Sequence, residues 1–330
     1  MQTVNSSRDI RAFRNALLRW FARQGRDLPW RTTRDSYAIL VSEFMLQQTQ
    51  VATVIPYYNE WLRRFPNFAS LARASQHDVL HAWQGLGYYN RARNLHIAAT
   101  IVQDRHRGIL PRDISSIRRL PGVGRYTANA VATFAFDQPV PIVEANSARV
   151  LARLFDIRVP VDSAIGREKL WRNAAQLVRR RNAGRFNSAL VDLGALVCLP
   201  DKPQCNICPV KKFCHAKNPE TLPIKKSRPC TKRLIERHAF VVSQGKILLE
   251  RSSTRWRGMW ILPPLETRST PDQPIHMSIF PFTNHRVKLV VCRGRAPKTP
   301  APNQRWFRSI RRVAMPSPHR RAVQTLLATC

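Results

Sequence analysis

The sequence predicts two parts of different fold class: a mostly α N-terminal domain, then a smaller α+β domain. Three observations predict this. Apolar residues recur at helical spacing from Ile10 onward, four cysteines are bunched at 198–214, and short β-rich runs appear only after a proline- and lysine-rich stretch. At 330 residues the chain is long enough for each part to bury its own core.

Composition narrows the partner. Lys and Arg total 55 against 20 Asp and Glu, a formal charge of +35. Charge of one sign resists compaction and is tolerated when a polyanion neutralises it, so nucleic acid is favoured over a membrane surface or a small-molecule substrate. No stretch approaches eighteen uninterrupted apolar residues, and Met1 to Arg14 is polar and charged, so a soluble, cytoplasmic chain is expected. Seven cysteines, four of them clustered, fit a reducing compartment with a metal site better than a disulfide framework.

In order, Ile10, Phe13, Leu17, Leu18 and Phe21 mark a basic amphipathic helix over 10–25, broken by Leu28-Pro29-Trp30-Arg31. Tyr37 to Thr49 reads as a helix whose apolar residues surround one acid, Glu43. Burial disfavours the charged form of a carboxyl, so Glu43 is a candidate proton donor near neutral pH. Gly85-Leu86-Gly87-Tyr88-Tyr89 is a glycine-hinged loop. An apolar helical run over Ile114 to Leu120 then meets Pro121, Gly122, Val123 and Gly124, and a second helix starts at Arg125. Two glycines able to take positive φ, bare N–H groups and a helix start suit a phosphate, and Arg125 adds a charge. An ordinary tight helix connection has the same pattern.

Ile142-Val143 reads as a strand-like lead into Glu144-Ala145-Asn146 and a helix over 149–155, so Glu144 is expected near a helix start that stabilises an anion. A further helix, 185–195, runs into Cys198, Cys205, Cys208 and Cys214, spaced C-x₆-C-x₂-C-x₅-C. Four thiolates so spaced suit tetrahedral zinc or a cubane iron–sulfur cluster, and chemistry alone leaves both open. Residues 219–234 read as a basic linker. The runs at 238–242, 246–250 and 287–291 read as strands, and 320–327 as a closing helix.

Taken together, Ser42-Glu43-Phe44-Met45-Leu46-Gln47-Gln48-Thr49-Gln50-Val51, Gly85-Leu86-Gly87-Tyr88-Tyr89, the Leu120–Gly124 turn and the cysteine spacing resemble the MutY-type adenine DNA glycosylases, over nearly the whole chain. The resemblance implies a helix-hairpin-helix glycosylase domain of two helical lobes with a [4Fe–4S] loop at residues 1–218, the linker at 219–234, and a Nudix-like lesion-recognition domain at 235–330. Trp256 to Pro263 is similar to the glycine-aromatic-proline segment of that last domain, and the Glu-rich metal-binding helix of a Nudix hydrolase is missing from the sequence.

By the same resemblance, Glu43 protonates the leaving base, Glu144 stabilises the sugar cation, and Tyr126 and Asn146 orient them. Trp30, Arg31, Leu46 and Ser188 form the pocket for the extruded base. Gln48 and Tyr88 wedge the duplex, Thr49 and Leu86 also contact the DNA, and Leu120, Gly122, Val123, Gly124 and Arg125 hold the backbone. Thr283, Asn284 and His285 read the opposing base, and the four cysteines hold the cluster. Tyr126 stands where lyase relatives carry a Schiff-base lysine, which implies a monofunctional enzyme. The partner implied is double-stranded DNA with a mispair or oxidised guanine, bound by a monomer with no membrane.

Three positions depart from the family pattern. Glu144-Ala145 replaces aspartate-glycine, Ser188 replaces a longer glutamate or glutamine, and Thr283-Asn284-His285 replaces Phe-Ser-His. An altered target pair, a non-catalytic mismatch-binding protein, and an endonuclease III-like enzyme acting on damaged pyrimidines are the competing readings.

Overall fold

The structure is a computed structural model that describes residues 7–227, 230–265 and 273–328. Arg228 and Pro229 of the expected linker, and Cys330, lie outside the described residues. The chain divides into two compact units, Met1–Ala69 with Ile97–Ser227, and Ser70–His96 with Arg228–Cys330. Among the described residues the helices are α1 (Ser7–Gln24), α2 (Ser36–Leu46), α3 (Val51–Arg64), α4 (Phe68–Arg73), α5 (Gln76–Ala82), α6 (Asn90–His106), α7 (Ile114–Arg118), α8 (Arg125–Phe136), α9 (Ala145–Leu154), α10 (Ala164–Leu177), α11 (Ala183–Leu196) and α12 (Ser317–Ala328).

In the first unit, α8 packs on α2, α7 and α11, while α11 also packs on α1 and α9. Helix α2 is buried from Tyr37 to Met45, which its near-uniform apolar sequence requires. It ends at Leu46, three residues earlier than the sequence predicts, because Gln47 turns to ψ 110° and Gln48 takes φ 58°. Phe13 of α1 meets Phe186 of α11 and Phe213 of the cysteine loop edge to face, at 6.5 and 5.8 Å, so one core binds that loop to the helices. The backbone leading to Glu144 forms no strand, and α9 begins at Ala145, four residues before the position the sequence suggests.

The second unit carries β1 (Lys232–Phe240), β2 (Val242–Ser243), β3 (Lys246–Arg251), β4 (Trp260–Ile261), β5 (Pro274–Phe282), β6 (His285–Arg293) and β7 (Gln304–Phe307). Strand β6 lies between a parallel β1 and an antiparallel β5, and β3 pairs antiparallel with β2, β4 and β7. The last three residues of the expected linker therefore begin a strand. Residues 219–227 fold against the first unit instead: Val161 N–H donates to the Ile224 carbonyl at 2.9 Å, and Asp162 accepts from Lys226 N–H at 3.0 Å.

Two buried imidazoles close this unit. His238 Nδ1 donates to the Leu262 carbonyl at 2.6 Å, while Leu262 N–H donates to His319 Nδ1 at 3.3 Å. The two rings therefore hold opposite tautomers.

Candidate active site

A single open cleft of about 1120 Å³ in the first unit is lined by Glu43, Tyr126, Glu144, Asn146, Trp30, Arg31, Leu46 and Ser188, together with Gln48 and Thr49. All eight residues expected for chemistry and for the base pocket thus share one opening, although they come from five separate stretches of chain.

Glu43 sits on α2 and is 4% exposed. Burial pushes its carboxyl up to about 7, the charge of Glu144 adds to the rise, and a hydrogen bond with Tyr126 opposes it. Its Oε2 has no hydrogen-bond partner among the described residues. A buried carboxyl with an unpartnered oxygen, on a residue lining a cleft, is a proton source near pH 7. Tyr126, at the start of α8, has its phenol raised well above the ordinary range by the same burial and by both carboxylates. It stays protonated and donates.

Glu144 caps α9. Its Oε2 accepts from Asn146 N–H at 2.8 Å and its Oε1 from Ser147 N–H at 2.6 Å, while Ser147 Oγ accepts from Glu144 N–H at 2.9 Å. Both oxygens are thus turned toward the helix start. The sequence expectation was an anion held by the helix. Those N–H donors and Arg149 do favour the charge, but burial outweighs them and the net shift is upward. Asn146 Oδ1 accepts from Arg149 Nη2 at 2.9 Å, and the same guanidinium donates to the Gly194 carbonyl at 2.7 Å and the Cys198 carbonyl at 2.8 Å. The segment carrying the second acid is tied by one arginine to the first cysteine.

In the base pocket, Trp30 is buried and packs edge to face on Tyr58 at 5.4 Å. Ser188, 6% exposed, stands on α11. Arg31 is held by Asp192, a residue that sequence reasoning missed: a lone aspartate in a helix gives no signal until two arginines from a distant turn converge on it.

At the hairpin, Gly122 takes φ 77°, whereas Gly124 is extended at φ −88° and caps α8, so only one of the two glycines able to take the left-handed region uses it. Leu120 and Val123 are buried, and they alternate with exposed Gly122, Gly124 and Arg125. The Arg125 guanidinium lies 4.0 Å from the Trp171 ring centre. Gln48 is exposed at φ 58° in the first unit; Tyr88, 47% exposed at φ 47°, and buried Leu86 belong to the second. Thr283, at φ 52°, and Asn284 form the exposed turn between β5 and β6, with the Asn284 carbonyl accepting from Lys232 N–H at 2.9 Å and His285 opening β6.

The four cysteines are gathered closely enough for their charges to interact. Arg153, 1% exposed, donates to Cys198 Sγ at 3.2 Å.

A family model, "HhH-GPD superfamily base excision DNA repair protein", matches residues 41–175. The chain is 46% identical over 217 residues to an adenine DNA glycosylase of Mus musculus, covering 63% of this chain and 42% of that protein. It is 34% identical over 262 residues to an adenine DNA glycosylase of Buchnera aphidicola subsp. Acyrthosiphon pisum, covering 78% of this chain and 75% of that one. The chain belongs to the adenine DNA glycosylase family.

A solved thermostable thymine-DNA glycosylase, 31% identical, aligns with a TM-score of 0.57 over 62% of this chain and 95% of its own. The chain spans about two fifths of the length of the mammalian relatives, and about three quarters of the Buchnera one. The helical first unit and the smaller α+β second unit agree with the fold class that the sequence predicts. No described helix is long and apolar enough to cross a membrane.

Proposed function

We propose that the protein is a base-excision DNA glycosylase that binds duplex DNA, extrudes a mispaired adenine into the cleft of the first unit and hydrolyses its N-glycosidic bond. The observation that carries this is Glu43: a buried carboxyl, raised to about 7, with one unpartnered oxygen, on a residue that lines the same cleft as Glu144. Glu43 delivers its proton to the leaving base. Glu144, aligned by the start of α9, stabilises the positive sugar, as the second carboxylate of a glycosidase does. Tyr126 orients Glu43 and offers no amine, so release occurs without strand cleavage.

Gln48, next to Thr49 in the first unit, is assigned to fill the space that the extruded base leaves, and exposed Tyr88 of the second unit is assigned the same task by the resemblance. Gly122, Gly124 and Arg125 are assigned to the backbone phosphates, and the net charge of +35 supplies the sequence-independent part of the affinity. Thr283, Asn284 and His285 would face the opposing base. Cys198, Cys205, Cys208 and Cys214 would hold a [4Fe–4S] cluster that braces the loop; Arg153 steadies the Cys198 sulfur.

Ser188 favours a second reading of the target. A short hydroxyl at the pocket wall leaves part of an adenine edge without a direct partner, so the preferred pair need not be adenine opposite 8-oxoguanine. Duplexes carrying each mispair, with and without 8-oxoguanine, are incubated with the protein and free base is quantified. Release from an adenine-containing pair supports the proposal; release confined to another pair moves the target; tight binding with no release from any pair makes the protein a mismatch binder.

A further inference from the structure

Asp192 of α11 is fully buried, at 0% exposed, and is absent from the lining of the cleft. Everything it does there passes through two arginines that are in the lining. Its Oδ2 accepts from Arg26 N–H at 2.8 Å and from Arg31 Nη1 at 2.8 Å, and its Oδ1 from Arg26 Nε at 2.8 Å, Arg26 Nη2 at 2.6 Å and Arg31 Nη2 at 2.9 Å. Arg31 Nη1 spends its other proton on the Arg26 carbonyl, at 2.9 Å. A guanidinium has five N–H donors in a rigid plane. The carboxylate takes Arg31 end-on, which leaves the Nε–H and one Nη2–H side by side on a free edge. Ser188 precedes Asp192 by one helical turn, so α11 turns both residues toward the same wall.

Resting on the base-excision reading, we propose that Asp192 is a positioning residue for the extruded base: it fixes Arg31 so that its free donor edge faces an acceptor on the base, such as the N7 ring nitrogen of a purine. A residue of this kind matters when the base is in the pocket. It does not matter for holding the DNA backbone. An ion pair kept only for folding would show the opposite pattern.

The test is a double-mutant cycle of wild type, Asp192→Asn, Arg31→Lys and the double variant. Single-turnover release of adenine is measured beside affinity for the same duplex carrying a tetrahydrofuran abasic site at the target position. Each single variant is expected to slow release tenfold or more, the double variant to be no more than about twofold slower than the worse single one, and abasic-site affinity to stay within twofold. Release at the wild-type rate in Asp192→Asn, losses that multiply in the double variant, or abasic-site affinity falling in step with rate would each overturn it. If Asp192→Asn does not fold, Asp192→Glu, which keeps the charge and moves it by one methylene, takes its place with the same criteria. A wild-type protein that releases no base removes the underlying reading and is seen in the first arm.

Discussion

Gly194 of α11 lies against Asn146 at the start of α9: a Cβ placed on the glycine would stand 2.7 Å from both the Asn146 Cβ and its carbonyl oxygen. Real Cβ atoms do not approach backbone so closely, so the two helices meet there only because residue 194 has no side chain. That approach sets where Glu144 stands, since Asn146 N–H is one of its two cap donors.

Gly194→Ala is therefore predicted to push the start of α9 away and take Glu144 with it. Overpacking of this kind costs on the order of 1–3 kcal/mol, and a displacement near 1 Å can cost about a hundredfold in rate. Thermal melting and single-turnover base release check both. An alanine variant with wild-type rate would separate Glu144 from the chemistry.

Glu43 sets the pH dependence. A donor must be protonated, and its pKa of about 7 means that base release holds below neutrality and falls about tenfold per unit above it. Stability follows the same group with the opposite sense to an ordinary ion pair. The folded pKa lies above the unfolded one, so folding is penalised as pH rises from about 4.5 toward 7, and the penalty is complete above 7. Glu43→Gln is predicted to abolish release, retain DNA binding and melt several degrees higher at pH 8, with little change at pH 5. The penalty removed is on the order of 3 kcal/mol.

Gln48 sits at φ 58°, in a region that costs a side-chain-bearing residue energy. If that strain serves to point the side chain into a duplex, Gln48→Gly stabilises the protein by up to about 1 kcal/mol while slowing base release. Melting temperature and release rate should move in opposite directions; loss of both would mean that the turn is structural.

Affinity for duplex DNA should fall steeply and linearly with the logarithm of salt concentration, as expected when cations displace condensed counterions. Titration between about 50 and 200 mM salt should lower affinity by at least tenfold. A flat dependence would leave the net charge of +35 without a partner.

Much of the fold was legible because periodicity and burial agree. Helix α1 is amphipathic, α2 is apolar but for its serines and Glu43, and α11 leads straight into the cysteines. Glu43 was legible for the same reason, one acid in an apolar helix. The conformation at 47–49 was not, because nothing local marks Gln48 as left-handed where glycine or asparagine would. Nor was the capping of α9 by Glu144, since glutamate is an uncommon cap and reaches both N–H groups only through its longer side chain. Asp192 was illegible for a different reason: its partners lie more than 160 positions away. Strand β5 escaped notice because Pro274, Pro281 and exposed apolar residues break the alternation expected of a half-buried strand.

The central claim is that Glu43 and Glu144 act on one extruded nucleotide, and release of free adenine from a mispaired duplex tests it most directly. Wild-type protein should release adenine and leave the strand intact, and Glu43→Gln should bind the same duplex and release none. Equal release by both proteins would contradict the account.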